Sequence, residues 1–438
     1  MASSSPRPRR TPRRGRGHSP RGGPLSSRGT NSVETRPAVA RPGTLQRLGR
    51  TVVLLGLVSF FADVSGDLVY PLVPLFLTVT LGAPVAVVGL VEGLADGASN
   101  IFKVGSGLLS DRMGRRMPMV TWGYGLAALG KVLLALATHW GVVLAARTGD
   151  RMGKGIRGAP RDAMIAQAAP PDIRGAAFGL HRAMDTAGAL GGAFLAFLVV
   201  SLFSNNLRLA FAVAVVPAFI AVLLTFAVRD MPLPAVAQRE RGPRLAGWRR
   251  LPRAYWVVLA VMVTFALANS SDAFILLRAK NLGLGISTVV LAYLLFNSVY
   301  AALAYPFGRL SDLLGRRRLI LVAFAIYAAT YLGLALANSA WAVWPLLALY
   351  GAYLAIGEGV GRALVADCTP ADLRATGMGL YQGAFGVGVL LASLAAGLLW
   401  DAVGPQAPFL LGAGLAALAL LIGLRYLPGS RAPAAYST

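Results

Sequence analysis

The sequence predicts an all-α integral membrane protein with twelve transmembrane helices, arranged as two six-helix bundles that repeat one another in parallel orientation. Three observations lead to this fold class. Of the 438 residues, 56% are hydrophobic and only 14% are charged, whereas soluble domains carry about 25% charged residues. Apolar stretches long enough to cross a bilayer recur along the whole chain. Two motifs of the first half also return, in the same order, in the second half.

Twelve apolar segments follow one another, and a bilayer core requires about 20 helical residues of this kind. The segments are 51–78, 85–109, 117–138, 140–160, 176–203, 207–228, 254–278, 286–307, 318–338, 340–361, 376–400 and 405–427. The longest polar stretch inside the chain falls between the sixth and seventh segments. The predicted division is a disordered basic cytoplasmic tail (1–46), an N-terminal six-helix bundle (47–228), a cytoplasmic linker (229–253), a C-terminal six-helix bundle (254–428) and a cytoplasmic C-terminal tail (429–438).

The basic tail is rich in arginine, serine, proline and glycine, and cannot bury enough apolar surface to fold. Contact with anionic lipid is an alternative role, since basic segments beside a membrane are attracted to it. The tail has no aromatic residue on which a base could stack, so nucleic acid is not expected as a partner. No apolar run precedes residue 51, and a cleavable signal peptide is not predicted.

The distribution of cations predicts the orientation. If the N-terminus is cytoplasmic, 36 of the 42 lysines and arginines lie in the cytoplasmic tails and loops, and three lie outside. Cytoplasmic loops of membrane proteins carry such an excess. We therefore expect a multi-pass protein of the bacterial inner (cytoplasmic) membrane with both termini in the cytoplasm.

Several function classes are excluded by what the sequence lacks. The single cysteine, Cys368, permits neither a disulfide framework nor a cysteine metal site. No phosphate-binding loop and no Gly-x-Ser-x-Gly elbow is present. We therefore predict no enzyme activity, no cofactor and no metal.

The repeated motifs resemble those of a known family. Residues 107–116 read GLLSDRMGRR, and residues 308–317 read GRLSDLLGRR. The first is similar to the loop signature G-x-x-x-D-R-x-G-R-R of the major facilitator superfamily, and the second is similar to its degenerate copy. The other repeated pair is APPDIRGAAFGL at 169–180 and TPADLRATGMGL at 369–380.

Two further segments carry the resemblance. Residues 147–155, RTGDRMGKG, resemble the fourth-helix motif of the family, with an acidic and a basic residue where glutamine and glycine are usual. Residues 179–193, GLHRAMDTAGALGGA, resemble the glycine-rich fifth-helix motif of proton-linked drug antiporters, with Ala193 in place of proline. The resemblance covers residues 51–427 and points to an uncharacterised prokaryotic branch related to proton-coupled drug and metabolite antiporters.

The resemblance implies a secondary active transporter that moves a small solute across the cytoplasmic membrane by alternating access, with its site near the midplane between the halves. Proton-coupled efflux of an organic compound or drug is the favoured mode. Import of an organic anion or a metal chelate is an alternative, and a membrane sensor or scaffold on a transporter fold is an alternative of another class. The expected partners are a small molecule, the lipid bilayer and a proton as coupling ion, and the expected state is a monomer.

The resemblance also implies that the repeated loop motifs form a cytoplasmic gate. In that role the acidic residue of the motif pairs with an arginine or with a helix N-terminus, whose dipole favours an anion. A topology anchor without a gating role is the alternative. The gate residues are Gly107, Asp111, Arg112, Gly114, Arg115, Arg116, Gly308, Asp312, Gly315, Arg316 and Arg317.

Ionisable residues within the apolar segments indicate a cavity, because a charge that faces lipid is costly. Asp63 with Asp67, and Glu92 with Asp96, are like-charge pairs one turn apart, so either one member is protonated or a cation lies between them. Proton coupling, static ion pairs and direct solute contact are all open. The candidate proton and solute residues are Asp63, Asp67, Glu92, Asp96, Lys103, Lys131, Arg147, Asp150, Arg151, Lys154, Asp272, Asn297, Tyr300 and Glu358.

The fourth segment is unusual for its cations. Arg147, Arg151 and Lys154 share one helical face, and Asp150 precedes Lys154 by one turn and is expected to neutralise it. Arginine suits carboxylate and phosphate, so the cavity could prefer an anionic solute, unless the nearby carboxylates cancel the field. His181 is expected to be a hydrogen-bonded structural residue rather than a proton relay.

Overall fold

The computed structural model describes residues 49–113, 115–170, 173–230, 248–370 and 373–428. Within these ranges, the side chains of 104, 107–113, 312, 358 and 375 are not described. The two tails and most of the linker that the sequence predicts therefore lie outside the described residues.

Twelve helical segments, joined by short loops, make up nearly all of the described residues, among which there is no strand. This arrangement confirms the predicted all-α fold. In chain order the segments are α1 (Arg50–Thr80), α2 (Val85–Met113), α3 (Met117–Ala135), α4 (Trp140–Ala168), α5 (Arg174–Leu202), α6 (Leu207–Phe226), α7 (Arg253–Asn281), α8 (Ile286–Leu314), α9 (Arg316–Leu336), α10 (Ala340–Asp367), α11 (Arg374–Ala402) and α12 (Ala407–Tyr426).

Ten of these segments are long and apolar enough, over the described residues, to cross a membrane. The other two are α3 and α4, and α4 carries the cluster of cations noted in the sequence. Both pack along spanning helices, since α3 contacts α6 and α4 contacts α2. Lys131 of α3 and Asp150 of α4 form an ion pair between the two helices, which is how charged side chains are accommodated at membrane depth.

The internal repeat extends to the contacts of single residues. Helices α5 and α11 both have 29 residues and begin at Arg174 and Arg374. In each half, the arginine that precedes or opens the third helix donates a hydrogen bond to a carbonyl 47 residues further along: Arg116 to Ala163 at 3.4 Å and Arg316 to Ala363 at 2.9 Å. The sequence repeat is therefore a structural repeat of two six-helix bundles.

Helix α7 is interrupted, whereas the sequence predicted one continuous helix over 254–278. It is helical to Ala268 and again from Ala273, and the intervening residues, Asn-Ser-Ser-Asp, have short polar side chains that compete for backbone hydrogen bonds. Neighbouring helices satisfy the released groups, since Tyr327 donates to the Ala268 carbonyl at 2.8 Å and the Ser271 amide donates to Ser393 Oγ at 3.1 Å. Such breaks are tolerated in a membrane where other side chains replace the lost bonds.

Two faces of the bundle differ in how the halves meet. We name the side where α2 ends and α3 begins the motif face, and the opposite side the far face. Buried apolar residues from both halves form one continuous core that includes the far-face ends of α1, α5 and α8, whereas the motif-facing part of the N-terminal half has a separate core of its own. The halves therefore share a core on the far face only.

Helices α2 and α11 close the far face. Gly89 lies so close to the Ser393 carbonyl that a side chain there would overlap it, and glycine allows such an approach. The Asp401 carboxylate at the end of α11 accepts hydrogen bonds from the first amides of α2, Val85 at 3.1 Å and Ala86 at 2.7 Å. Towards the motif face a cavity separates the halves, since Arg182 of α5 and Tyr300 of α8 line it together. The space between the halves therefore opens towards the motif face.

Candidate functional site

Three adjoining cavities lie between the two halves, and we call them together the vestibule. The deep cavity has a volume of about 350 Å³, the middle cavity about 720 Å³ and the side cavity about 340 Å³. Asp63 and Lys154 line both the deep and the middle cavity, while Asn100 and Lys103 line both the middle and the side cavity. Each volume is within the range of small-molecule sites, about 300–1,000 Å³.

The wall of the deep cavity contains a network of ion pairs. Arg147 holds Glu92 with both arms of its fork, from Nε to Oε1 at 3.0 Å and from Nη2 to Oε2 at 2.8 Å. Lys131 Nζ lies 2.8 Å from Asp150 Oδ2, and Arg147 Nη1 lies 3.5 Å from the same oxygen. Glu92 is fully buried and does not line the cavities, so its place is behind the wall that Arg147 presents.

Arg151 continues this network one turn along α4. Its Nε lies 3.6 Å from Asp96 Oδ1. Both Arg147 and Arg151 also place their guanidinium carbons 5.4 Å from the centre of the Tyr70 ring, close enough for a cation–π contact. Glu92 and Asp96 therefore each have their own arginine from α4, an arrangement that favours the static ion-pair alternative for these two carboxylates.

One expected pair is not formed. Asp150 binds Lys131 and Arg147 from other turns and helices rather than Lys154. No described carboxylate forms an ion pair with Lys154, whose side chain is exposed to the vestibule. The spacing along α4 suggested the Asp150–Lys154 pair, but Lys131 on α3 lies 2.8 Å from Asp150 and forms the ion pair instead.

Two further aspartates of the deep cavity each accept a hydrogen bond from a tyrosine. Tyr293 on α8 donates to Asp67 Oδ1 at 2.6 Å, and Tyr350 on α10 donates to Asp272 Oδ1 at 2.6 Å. The first bond joins the two halves, and the second lies within the C-terminal half. Among the described residues, neither aspartate forms an ion pair with a lysine or arginine.

The tyrosines are the residues that sequence reasoning missed. The signal was present in the repeat, because Tyr331 and Tyr350 occupy the positions of Lys131 and Asp150 two hundred residues earlier. Tyr293 likewise corresponds to Glu92. The C-terminal half therefore replaces the ion network of the N-terminal half with stacked phenols, such as Tyr327 and Tyr331 with ring centres 4.1 Å apart.

A second polar cluster lines the middle cavity. Ser59 contacts His181 Nε2 at 3.0 Å and accepts a hydrogen bond from Arg161 at 2.8 Å. Asp185 lies 3.4 Å from His181 Nδ1 on the other side of the ring. His181 is buried and hydrogen-bonded within this cluster, as expected for a structural histidine.

The uncharged candidates and Lys103 lie in the walls of the vestibule. Asn297 and Tyr300 line the deep and middle cavities, and Lys103 lines the middle and side cavities. The side chain of Glu358 lies outside the described residues. Within the part of the chain that the structure describes, no group of three His, Cys, Asp or Glu residues could hold a metal ion.

The loop motifs are only partly described. Arg116 donates to Gln167 at 2.8 Å, Arg316 pairs with Asp367, and Arg317 donates to the Leu424 carbonyl at 2.6 Å. Arg115 is exposed, Gly308 has open space around it, and Gly315 has a φ of +89° that favours glycine. The described arginines tie loops within one half. Gly114 lies outside the described residues, as do the side chains of Asp111, Arg112 and Asp312, and Gly107 is described only as part of α2. The predicted gate therefore remains a prediction.

Comparison with known proteins gives consistent results. The family model of the Major Facilitator Superfamily matches residues 55–296 and 259–438. An uncharacterized MFS-type transporter of Methanocaldococcus jannaschii is 34% identical over 383 residues, covering 86% of this chain and 95% of that protein. The multi-drug resistance efflux pump PmrA of Streptococcus pneumoniae is 27% identical over 331 residues, covering 71% of this chain and 79% of the pump.

A solved structure has the same fold. The nucleoside transporter NupG superposes with a TM-score of 0.71 at 14% identity, covering 87% of this chain and all of that one. Three findings indicate a transporter and not an enzyme. They are the duplicated six-helix halves, the vestibule of buried charges between them, and the family match along the membrane-spanning part of the chain. This multi-pass membrane protein is a secondary transporter of a small solute, and it belongs to the major facilitator superfamily.

Proposed function

We propose that this transporter exports an organic compound from the cytoplasm in exchange for entering protons. The observation that carries the proposal is the hydrogen bond from Tyr293 to Asp67, which joins the two halves inside the vestibule. Asp67 has no ion-pair partner among the described residues, and a buried carboxylate without a cation is a natural place for a proton. Similarity to a multidrug efflux pump supports export.

The direction of opening supports this assignment. The arginine count predicts that the motif face is cytoplasmic, and the vestibule opens towards that face. In this state an ionised Asp67 accepts a short, charge-assisted bond from Tyr293 and keeps the far face shut. Protonation removes the charge and weakens the bond, so α1 and α8 can part on the far face.

Exchange requires that the empty carrier does not reorient. The ionised aspartate provides this block, because the empty state keeps the bond between α1 and α8. In the outward-open state that bond is absent, and an ionised Asp67 would have to lose its water before the far face closes over it. A proton taken up from outside neutralises Asp67 and permits the inward stroke. A solute that enters the deep cavity competes for the Tyr293 hydroxyl and releases the bond on the outward stroke.

Purified protein in proteoliposomes tests the exchange. We would add naphthalene-2-sulfonate outside vesicles that contain a pH-sensitive dye, with no initial pH gradient. Exchange predicts that the lumen becomes alkaline as the solute enters, and Asp67→Asn abolishes the pH change. Glu240→Gln, the same carboxylate-to-amide change in the predicted linker, serves as the matched control and leaves it intact.

Two outcomes would contradict the proposal. Acidification of the lumen would indicate proton symport and therefore the import of an organic anion. No movement of protons, or an undiminished signal with Asp67→Asn, would remove the role of Asp67.

A further inference from the structure

We infer that the vestibule selects an amphipathic organic anion, whose carboxylate, sulfonate or phosphate group lies between Lys154 and Lys103 and whose apolar body lies against the side cavity. This inference names the substrate class of the proposed exporter and rests on that function.

Lys154 is the first observation. It lines both the deep and the middle cavity, and its side chain is exposed to them. Asp150, one turn earlier on α4, is held by Lys131 at 2.8 Å and by Arg147 at 3.5 Å. The charge of Lys154 is therefore available to a solute, at the point where the two cavities meet.

Two more cations that line the middle cavity, Lys103 and Arg157, form no ion pair with a carboxylate in the described part of the chain. No described carboxylate forms an ion pair with Lys103, which lies at the junction with the side cavity. Arg157 places its guanidinium 4.3 Å from the centre of the Tyr124 ring and donates to the Gly123 carbonyl at 3.4 Å. Stacking on a ring fixes the position of an arginine without neutralising it.

The opposing charges do not cancel these cations. Asp162 lies 3.1 Å from Arg161, and Asp185 lies near His181 and Arg182. Asp63 is the acid of the middle cavity that has neither an ion pair nor a hydrogen bond among the described residues. Asp67 also lines the middle cavity and has no ion-pair partner among the described residues. Two such acids against Lys103, Lys154 and Arg157 still leave a net positive field, and an isolated charge in a cavity at membrane depth is usually functional.

The side cavity supplies the apolar part of the site. It joins the middle cavity at Lys103 and is lined by Phe265, Phe324, Tyr353, Tyr381 and Phe385. The equivalents of Lys154 and Lys103 in the C-terminal half are Leu354 and Ala304. The wall from the N-terminal half therefore carries most of the cations, whereas the wall from the C-terminal half is largely aromatic and presents Arg362 to the middle and side cavities. This arrangement suits a solute with an anionic head and an apolar body.

Matched probes test this selectivity by binding alone. The full-length protein in detergent would be titrated, at fixed ionic strength, with naphthalene-2-sulfonate, the uncharged naphthalene-2-sulfonamide and the cationic 2-naphthyltrimethylammonium. We expect the sulfonate to bind at least about tenfold more tightly than the other two. Lys154→Gln lowers sulfonate affinity about tenfold and leaves sulfonamide affinity unchanged, while Lys154→Arg keeps it because the charge is retained.

The controls make every outcome decisive. Lys280→Gln, on the far face, is the matched lysine substitution and leaves all affinities unchanged. Equal affinities, tighter binding of the cation, or a Lys154→Gln variant that keeps full sulfonate affinity would overturn the inference. Since the titration involves neither flux nor a pH gradient, its result is separate from that of the proton-exchange experiment.

Discussion

At the scale of single residues, the vestibule separates charges into those that hold the protein together and those left for function. Arg147 serves Glu92 and Asp150 at once, and all three are buried or nearly so. Lys154 and Asp67, by contrast, face the cavity and form no ion pair among the described residues. Basic and acidic residues therefore have two different roles in this bundle. Those that are buried beside an opposite charge stabilise the fold, and those that face the cavity without an ion pair are available for function.

The Arg147 network makes a stability prediction. Arg147→Met leaves Glu92 buried without a partner and should destabilise the protein by about 3–5 kcal/mol, since removing one member of a buried pair strands the other charge. Replacing Arg147 and Glu92 together by methionine should recover most of this loss, because well-packed apolar residues can replace a buried pair. Thermal unfolding of the purified variants measures both effects. A double variant as unstable as the single one would contradict this interpretation.

At the scale of helices, much of the fold can be predicted from the sequence, but the pairing of side chains between different helices cannot. Apolar length places each segment on an observed helix, and the repeat predicts the duplicated halves. Helices α4, α8 and α10 continue six to eight residues past the predicted ends, because apolar length does not report the polar turns that follow a span. Spacing on α4 suggested an Asp150–Lys154 pair, whereas Lys131 of α3 takes that aspartate. Contacts between helices depend on packing, which spacing along one helix does not contain. The tyrosines that bind Asp67 and Asp272 were missed because they carry no charge.

The contact between α2 and α11 provides a second prediction. Asp401→Asn weakens a cap on α2 that crosses the two halves, and such caps contribute about 0.5–2 kcal/mol. The far-face-open state should therefore gain about two- to thirtyfold in population. Reaction of Asn297→Cys with an impermeant maleimide added from outside, in a Cys368→Ser background, measures the gain.

A matched capping residue supplies the control for that experiment. Asp230 accepts hydrogen bonds from the first amides of α3, Arg116 and Met117, each at 3.3 Å, within one half. Asp230→Asn should leave the labelling rate of Asn297→Cys unchanged. A rate equally raised by both variants would show that general loosening, and not the contact between the halves, is the cause.

At the scale of the whole molecule, the vestibule between the halves is closed on one side by α2, α11 and the Tyr293–Asp67 bond, and we propose that the halves rotate about it. The central claim is that a proton on Asp67 controls this closure. Thr138 and Asn338 lie at equivalent exposed positions on the far face, one in each half. Their separation therefore reports directly whether that face is open.

The most direct measurement is the distance between spin labels at Thr138→Cys and Asn338→Cys in lipid nanodiscs, with Cys368→Ser. We expect a short distance in mildly alkaline buffer and a growing longer distance as the buffer is made mildly acidic, because protonation releases Tyr293. Asp67→Asn should show the longer distance under both conditions. A distance distribution that ignores pH, or an Asp67→Asn variant that responds to pH as the unmodified protein does, would contradict the account.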